Sequence, residues 1–283
     1  MEAGLPQNCK NCGEYFTGKY CNYCGERVYT LKDKSIKYIV EEAFHFLTHF
    51  EGNFFVTIKT IFTKPGKYSF NYCDGKRKRY FKPVSLFFVC IVLYLIFPKF
   101  QGLNMRLETY VSPEYSYAWY GRPMVQNKMK KIHATFEQVA KAYNEHSAVF
   151  SKLFLLILLP LTALVLMVLF YRSKKLYFDH FILATEFNVF MIGFGFLLFP
   201  FVVFIIQSIS YYIFKKDLYI TEGLVAGISA LAAGVFTVTA LRNFYKEKRI
   251  YAILKGIVLL FFFMSVIMNI YKFLLLTFVL SYI

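Results

Sequence analysis

Cys9, Cys12, Cys21 and Cys24 form two Cys-x2-Cys pairs, and Gly13 and Gly25 follow the pairs directly. Four thiolates at this spacing suit a tetrahedral site for a borderline-soft cation such as zinc. Glycine after each pair lets the backbone turn close to sulfur. Eight residues separate the pairs, enough for a small β-hairpin ribbon around Gly18-Lys19. Four thiolates close the coordination shell, so the spacing predicts structural zinc and no catalytic metal. A module this small has little core, and its metal supplies much of its folding free energy. A redox dithiol reading would want one Cys-x2-Cys in a βαβ setting, which this segment lacks. The first 30 residues carry no apolar stretch of the signal-peptide kind, so the expected compartment is reducing and the thiols are expected to remain thiols. Such a ribbon binds a protein or a nucleic acid, or caps a terminus.

Other ionisable groups recur at meaningful spacing. Glu41, His45 and His49 stand four apart on one helical stripe, a candidate second metal or proton-linked site. The alternative is the polar border of an amphipathic helix. Asp179, His180, Glu186 and Asn188 open a long apolar run, and Asp179 and Glu186 share a face. Ionisable groups within a bilayer are costly and face protein, water or a partner, so Asp179, His180 and Glu186 are candidates for an intramembrane functional site or for helix-end and interhelix bonding. Lys76, Arg77, Lys78 and Arg79 form a basic run just before the first apolar span and are expected to dock on anionic lipid headgroups. Lys255 and Lys272, inside the last span, are expected to snorkel, and Asn269 to bond a neighbouring helix. No phosphate-binding loop, nucleophile elbow, HExxH helix or dinucleotide fingerprint occurs. Catalytic residues are therefore not assigned.

These residues need a scaffold, and composition says which kind. Of 283 residues, 57% are hydrophobic, 20% aromatic and only 18% charged, whereas soluble domains carry about a quarter charged residues. The apolar residues gather into runs at about 84–98, 151–171, 181–213, 221–241 and 251–276. The reading is an all-α polytopic membrane protein of about five transmembrane helices, with a small N-terminal zinc ribbon. Three parts follow: the ribbon at 1–29, an amphipathic interfacial helix and basic juxtamembrane segment at 30–83, and a transmembrane domain at 84–283 with an outer loop at 99–150. In that loop Val125, Met129, Ile132, Phe136, Val139 and Tyr143 recur every three or four residues and predict one amphipathic helix running toward the second span. The third run is longer than a bilayer core, and Gly193, Gly195 and Pro200 predict a kink or a re-entrant stretch. Gly223, Gly227, Gly234 and the nearby alanines of the fourth run predict close helix packing, within the chain rather than across a dimer.

The net charge of +16 implies acidic partners. With the N-terminus inside, the inner segments hold 21 Lys and Arg against ten outside. That bias places the N-terminus in the cytoplasm and the C-terminus in the periplasm of an inner membrane. Nucleic acid is not the expected partner, because the basic residues are tethered at the bilayer and no nucleic-acid-binding signature occurs.

The order of features resembles an uncharacterised family of bacterial multi-pass membrane proteins, a domain of unknown function. The resemblance rests on Cys9 to Cys24, on Thr57 or Thr60, on Pro65-Gly66, and on Gly75-Lys76-Arg77 with Tyr80 and Pro83. Tyr177 and His180 extend it to the third span. Lys64 stands where the family pattern has Arg. The resemblance implies a multi-pass protein with a ribbon and carries no known activity. The functional expectation is a scaffold or accessory protein whose ribbon recruits a cytoplasmic partner, with oligomers open. The alternative is a transporter or lipid-handling protein using polar groups of the third span, and behind it a membrane-embedded enzyme.

Overall fold

A computed structural model describes residues 6–28, 53–96, 105–215 and 221–283. Glu41, His45 and His49 lie outside the described residues. The described chain is mostly helical, with one two-stranded sheet at the N-terminal end.

That sheet pairs β1 (Gln7–Asn8) with β2 (Tyr15–Phe16), antiparallel, Gln7 opposite Phe16. Cys9, Phe16 and Cys21 are its small buried core. The next unit is a helical hairpin. Helix α1 (Asn53–Thr63) and helix α2 (Lys67–Cys73) meet at Pro65-Gly66. Gly66 has φ 78°, the left-handed conformation that glycine adopts without strain. Helix α3 (Pro83–Ile96) starts on Pro83, where a missing N–H is harmless.

Two helical stretches, Tyr177–Ile213 and Arg249–Tyr282, and a third, Gly223–Tyr245, are long and apolar enough to cross a membrane. Within the first, α8 (Tyr177–Phe190) passes through a π-helical segment (Met191–Leu198) into α9 (Phe199–Phe214). The helix continues through Gly193, Gly195 and Pro200, its turns widened rather than broken. Its 37 residues span about 55 Å against a hydrocarbon core of about 30 Å. Helix α10 (Glu222–Tyr245) follows, with Thr221 accepting the Leu224 N–H at its start. Helix α11 (Arg249–Ser265) runs through a second π segment (Val266–Tyr271) into α12 (Lys272–Tyr282). A bent pair, Phe136–Ser151 with Phe154–Leu169, turns by 50° at its break, and α3 is a shorter apolar helix.

The segment between α3 and the bent pair differs from the expected single helix. Its described residues form α4 (Leu107–Val111) and α5 (Ala118–Ile132), while α6 (Phe136–Leu153) is the first half of the bent pair and α7 (Leu158–Leu169) completes it. His133, at φ 52°, ends α5, and Thr135 and Gln138 exchange hydrogen bonds to start α6. Val125, Val139 and Tyr143 still face inward. The apolar period survives the break because two helices share one buried face. Phe150 meets Phe278, and His146 meets Tyr282, so α6 lies along α12.

The small-residue stripe of α10 requires a correction. Nothing lies within 4 Å of a Cβ built at Gly223, Gly227 or Gly234. Among the described residues, no helix packs into that stripe, and Leu224, Ile228 and Leu231 are exposed beside it. Spacing allowed close approach without saying which helix would come.

Candidate metal centre and its membrane clamp

The two cysteine pairs fold alike. The Cys9 N–H donates to the Glu14 carbonyl and the Gly13 N–H to the Cys9 carbonyl; the Cys21 N–H donates to Glu26 and the Gly25 N–H to Cys21. Gly13 and Gly25 take φ of 89° and 69°. Each knuckle is one tight turn, and the pair brings four sulfurs within 4.8 Å of one another. Cys9 Sγ and Cys24 Sγ lie 3.5 Å apart, Cys12 Sγ and Cys21 Sγ 3.6 Å. A tetrahedron with metal–sulfur bonds of about 2.3 Å has edges of about 3.8 Å, so the four thiols fit one metal ion. Burial opposes the Cys24 thiolate. The Glu26 N–H, the Asn11 side chain and the neighbouring thiols outweigh it and lower the Cys24 thiol. Cys12, against its Glu14 N–H, is pushed up by burial and by its own thiol neighbours, so the four sulfurs share their protons as one coupled group.

The module is fastened to the membrane domain by the residue after its second knuckle. Glu26, buried at 4% exposure, accepts the Lys78 N–H at 2.9 Å. Burial raises its carboxyl against the effect of that bond. The Lys78 Nζ donates back to the Cys24 carbonyl. Lys10 and Asp74 add an exposed ion pair at 3.8 Å, which contributes little.

The loop that meets the ribbon is itself held by α1 and α2. Asn53 donates to the Lys78 carbonyl at 2.7 Å. Thr57 accepts the Phe81 N–H at 2.8 Å, and the Tyr68 hydroxyl donates to the Phe81 carbonyl. Asn71 donates to the Tyr80 hydroxyl. Arg77 is buried at 5% exposure, its guanidinium 5.1 Å from the ring centres of both Tyr72 and Phe178. Its Nε donates to the Tyr72 carbonyl. The basic run therefore does not face headgroups as a whole. Arg77 is inside the protein and Lys78 turns to the ribbon, while Arg79 is exposed and Lys76 half-buried. The physical reason is the tight loop at Gly75, φ 104°, which sends neighbouring side chains in different directions.

Glu186 belongs to this same assembly. It is fully buried on α8. Its carboxylate accepts the Gly66 N–H at 2.7 Å, the Ser69 N–H at 3.0 Å and the Ser69 hydroxyl at 2.5 Å. These are free donors at the start of α2, which lacks a side-chain cap of its own. Asn243 of α10 donates to the Pro65 carbonyl at 2.7 Å, and a Cβ on Gly66 would collide with the Ala240 carbonyl. The Pro-Gly tip is thus seated between α8 and α10. Asp179 accepts the Leu176 N–H at the start of α8. The His180 Nδ1 lies 2.6 Å from the Tyr245 hydroxyl, and Tyr245 stacks on Phe170. Asp179, His180 and Glu186 are all buried, each held by different partners. Asn188 donates to Thr162 and to the Ala184 carbonyl.

Lys255 reaches Glu247 at 2.5 Å, at the loop before α11. Lys272 does not extend to water. It is buried, with Nζ 3.3 Å from the Tyr117 hydroxyl and 4.8 Å from that ring's centre. Asn269 bonds Ser265 of its own helix.

Residues 51–95 match a family model described as Protein of unknown function (DUF3667). No curated protein and no solved structure matches the chain. The matched segment is α1, the Pro-Gly tip, α2, the loop that meets the ribbon, and most of α3. It contains Gly66, Ser69, Arg77 and Lys78, the residues through which ribbon and spans are joined. The sequence marks Pro65-Gly66 as a stop and turn, and Thr57 only as part of a pattern. Reasoning from sequence passed over Glu26, Ser69 and Asn243, for which no local signal exists.

Proposed function

We propose that the chain is an integral inner-membrane scaffold whose cytoplasmic ribbon, closed by zinc, recruits a protein partner. The observation that carries this reading is the exposure of three ribbon tyrosines: Tyr15 at 78%, Tyr20 at 59% and Tyr23 at 80%. A module of some twenty residues that leaves three aromatic rings in water, while its other side is bonded to the bundle, has the character of a docking face. Four thiolates and no open coordination position favour a structural role for the metal. The bent pair and α3 would bring the spans to five. The clustering of Arg172, Lys174, Lys175, Lys246, Lys248 and Arg249 in the loops at the ribbon's end of α8, α10 and α11 supports a cytoplasmic N-terminus.

The test is photo-crosslinking in membranes with a benzophenone residue at position 17 of the ribbon. An adduct with one protein, lost on changing Tyr15, Tyr20 and Tyr23 together to Ser with one metal per chain retained, supports the reading. No adduct, or an adduct indifferent to those changes, counts against it. The transporter alternative loses its main motive, since three protein donors already occupy the Glu186 carboxylate.

A further inference from the structure

On the side of the α1–α2 hairpin away from α2 lies an open cavity of about 550 Å³. Its walls are α1, α3 and the π-helical segment of the third span, through residues such as Phe54, Ile58, Leu93, Gly193 and Leu197. Small-molecule sites run from about 300 to 1,000 Å³, so this volume holds a chain of many methylenes. Two features of the sequence create it. Widened π turns and a glycine at 193 leave the wall hollow: a Cβ at Gly193 would touch only Cys90 Sγ, at 3.7 Å. On α1, Phe54, Ile58 and Phe62 follow one another at every fourth residue, and the outer two pack edgewise on Phe81 and obliquely on Phe190. The helix is thereby held away from the π segment at its middle.

Among the described residues the lining carries one formal charge, Lys59. It is exposed and lies midway along α1. The N-terminal end of α1 is bonded to the loop that meets the ribbon, through Asn53, and its C-terminal end packs on Phe190, well into the third span. Lys59 stands between those two levels, with an apolar trough beside it. Among the described residues no carboxylate lines the trough, so the complement of this cation is an anionic group supplied from outside. Leu198 and Phe201, at 47% and 45% exposure, form an open lip on the apolar outer face of the long helix Tyr177–Ile213. Lipid reaches such a trough sideways.

We infer that this cavity binds one acyl chain of an anionic phospholipid, with the lipid phosphate paired to Lys59. The apolar wall takes the chain and Lys59 selects the charge. The site is separate from the ribbon and from the basic loop, and it does not rest on the scaffold reading.

The test uses full-length protein in nanodiscs of phosphatidylcholine with a tenth part of phosphatidylglycerol bearing a diazirine on its acyl chain. After irradiation, adducts are mapped by mass spectrometry. The inference expects adducts concentrated on peptides covering 54–62, 86–93 and 189–201. Gly193→Leu, which fills the trough, lowers them at least fivefold while adducts on α10 stay constant. Leu198→Trp at the exposed lip does the same should Gly193→Leu fail to fold. Lys59→Gln abolishes the preference over a diazirine phosphatidylcholine. Adducts spread evenly over the apolar surface, adducts unmoved by both trough variants, a wild type without charge preference, or crosslinks to a second copy in place of lipid would each overturn it.

Discussion

The Glu186 carboxylate holds the Gly66 N–H at 2.7 Å across 120 residues of sequence. That bond joins a long apolar helix to the tip of a helical hairpin, and the hairpin's far end holds the cysteine ribbon. Removing the carboxylate leaves the Gly66 and Ser69 N–H groups at the start of α2 without that acceptor, while the Ser69 hydroxyl keeps the Ile182 carbonyl. Bonds to charged groups are worth about 1.5–3 kcal/mol each. Glu186→Ala should therefore destabilise the detergent-solubilised protein by on the order of 3 kcal/mol or more, with Glu186→Gln intermediate. The apparent Tm reports it. A Glu186→Ala protein that melts with wild type would show that the bonds do not hold the hairpin.

Gly66 has two reasons to resist substitution, its positive φ and the Ala240 carbonyl against it. Gly66→Ala should cost more than about 1 kcal/mol. Gly227→Ala is the control. It stands in mid-helix with nothing within 4 Å, and alanine there should be neutral or stabilising by up to about 1 kcal/mol. Thermal unfolding of the pair should move in opposite directions or leave Gly227→Ala unchanged.

Arg77 separates burial from headgroup docking within one basic run. Arg77→Lys loses the planar group between Tyr72 and Phe178 and should cost about 1–3 kcal/mol. Arg79→Ala, at an exposed position, should fall within about 0.5 kcal/mol of wild type. Equal small effects from both changes, with equal loss of vesicle binding, would restore a purely lipid-facing run.

Metal binding and ribbon docking should be separable. Changing Cys9, Cys12, Cys21 and Cys24 to Ser should remove the metal and the docking together. Glu26→Ala leaves the four thiols and removes the acceptor of the Lys78 N–H. Metal content should then stay near one per chain, while limited proteolysis cuts between the ribbon and α1 several times faster. Metal lost to the same degree in both proteins would contradict the division.

How much of this was legible in the sequence follows from locality. The cysteine cluster was, because its ligands lie within sixteen residues and their spacing encodes the knuckles. The long apolar spans were, because crossing a bilayer needs only length and composition. Glu186 was visible as an anomaly in an apolar run, but its partners are 117 and 120 residues away, and no period or spacing points to them. Arg77 looked like its neighbours in the basic run. The turns of the loop and the partners it meets in Tyr72 and Phe178 take it inward while Arg79 stays out. The glycine stripe of α10 announced that a backbone can be approached, and such a stripe reads the same whether packed or bare.

The central claim is that residues 53–83 join the metal module to the spans, through Glu26 on one side and Glu186 on the other. Backbone hydrogen exchange on the full-length protein, before and after removal of metal by a chelator, tests it most directly. The account predicts that metal removal speeds exchange in the ribbon and also at the Lys78 N–H, which then loses Glu26, while the Gly66 and Ser69 N–H groups bound to Glu186 keep their protection. Unchanged exchange at Lys78 with the ribbon fully unfolded, or loss of protection at Gly66 and Ser69 along with it, would contradict it.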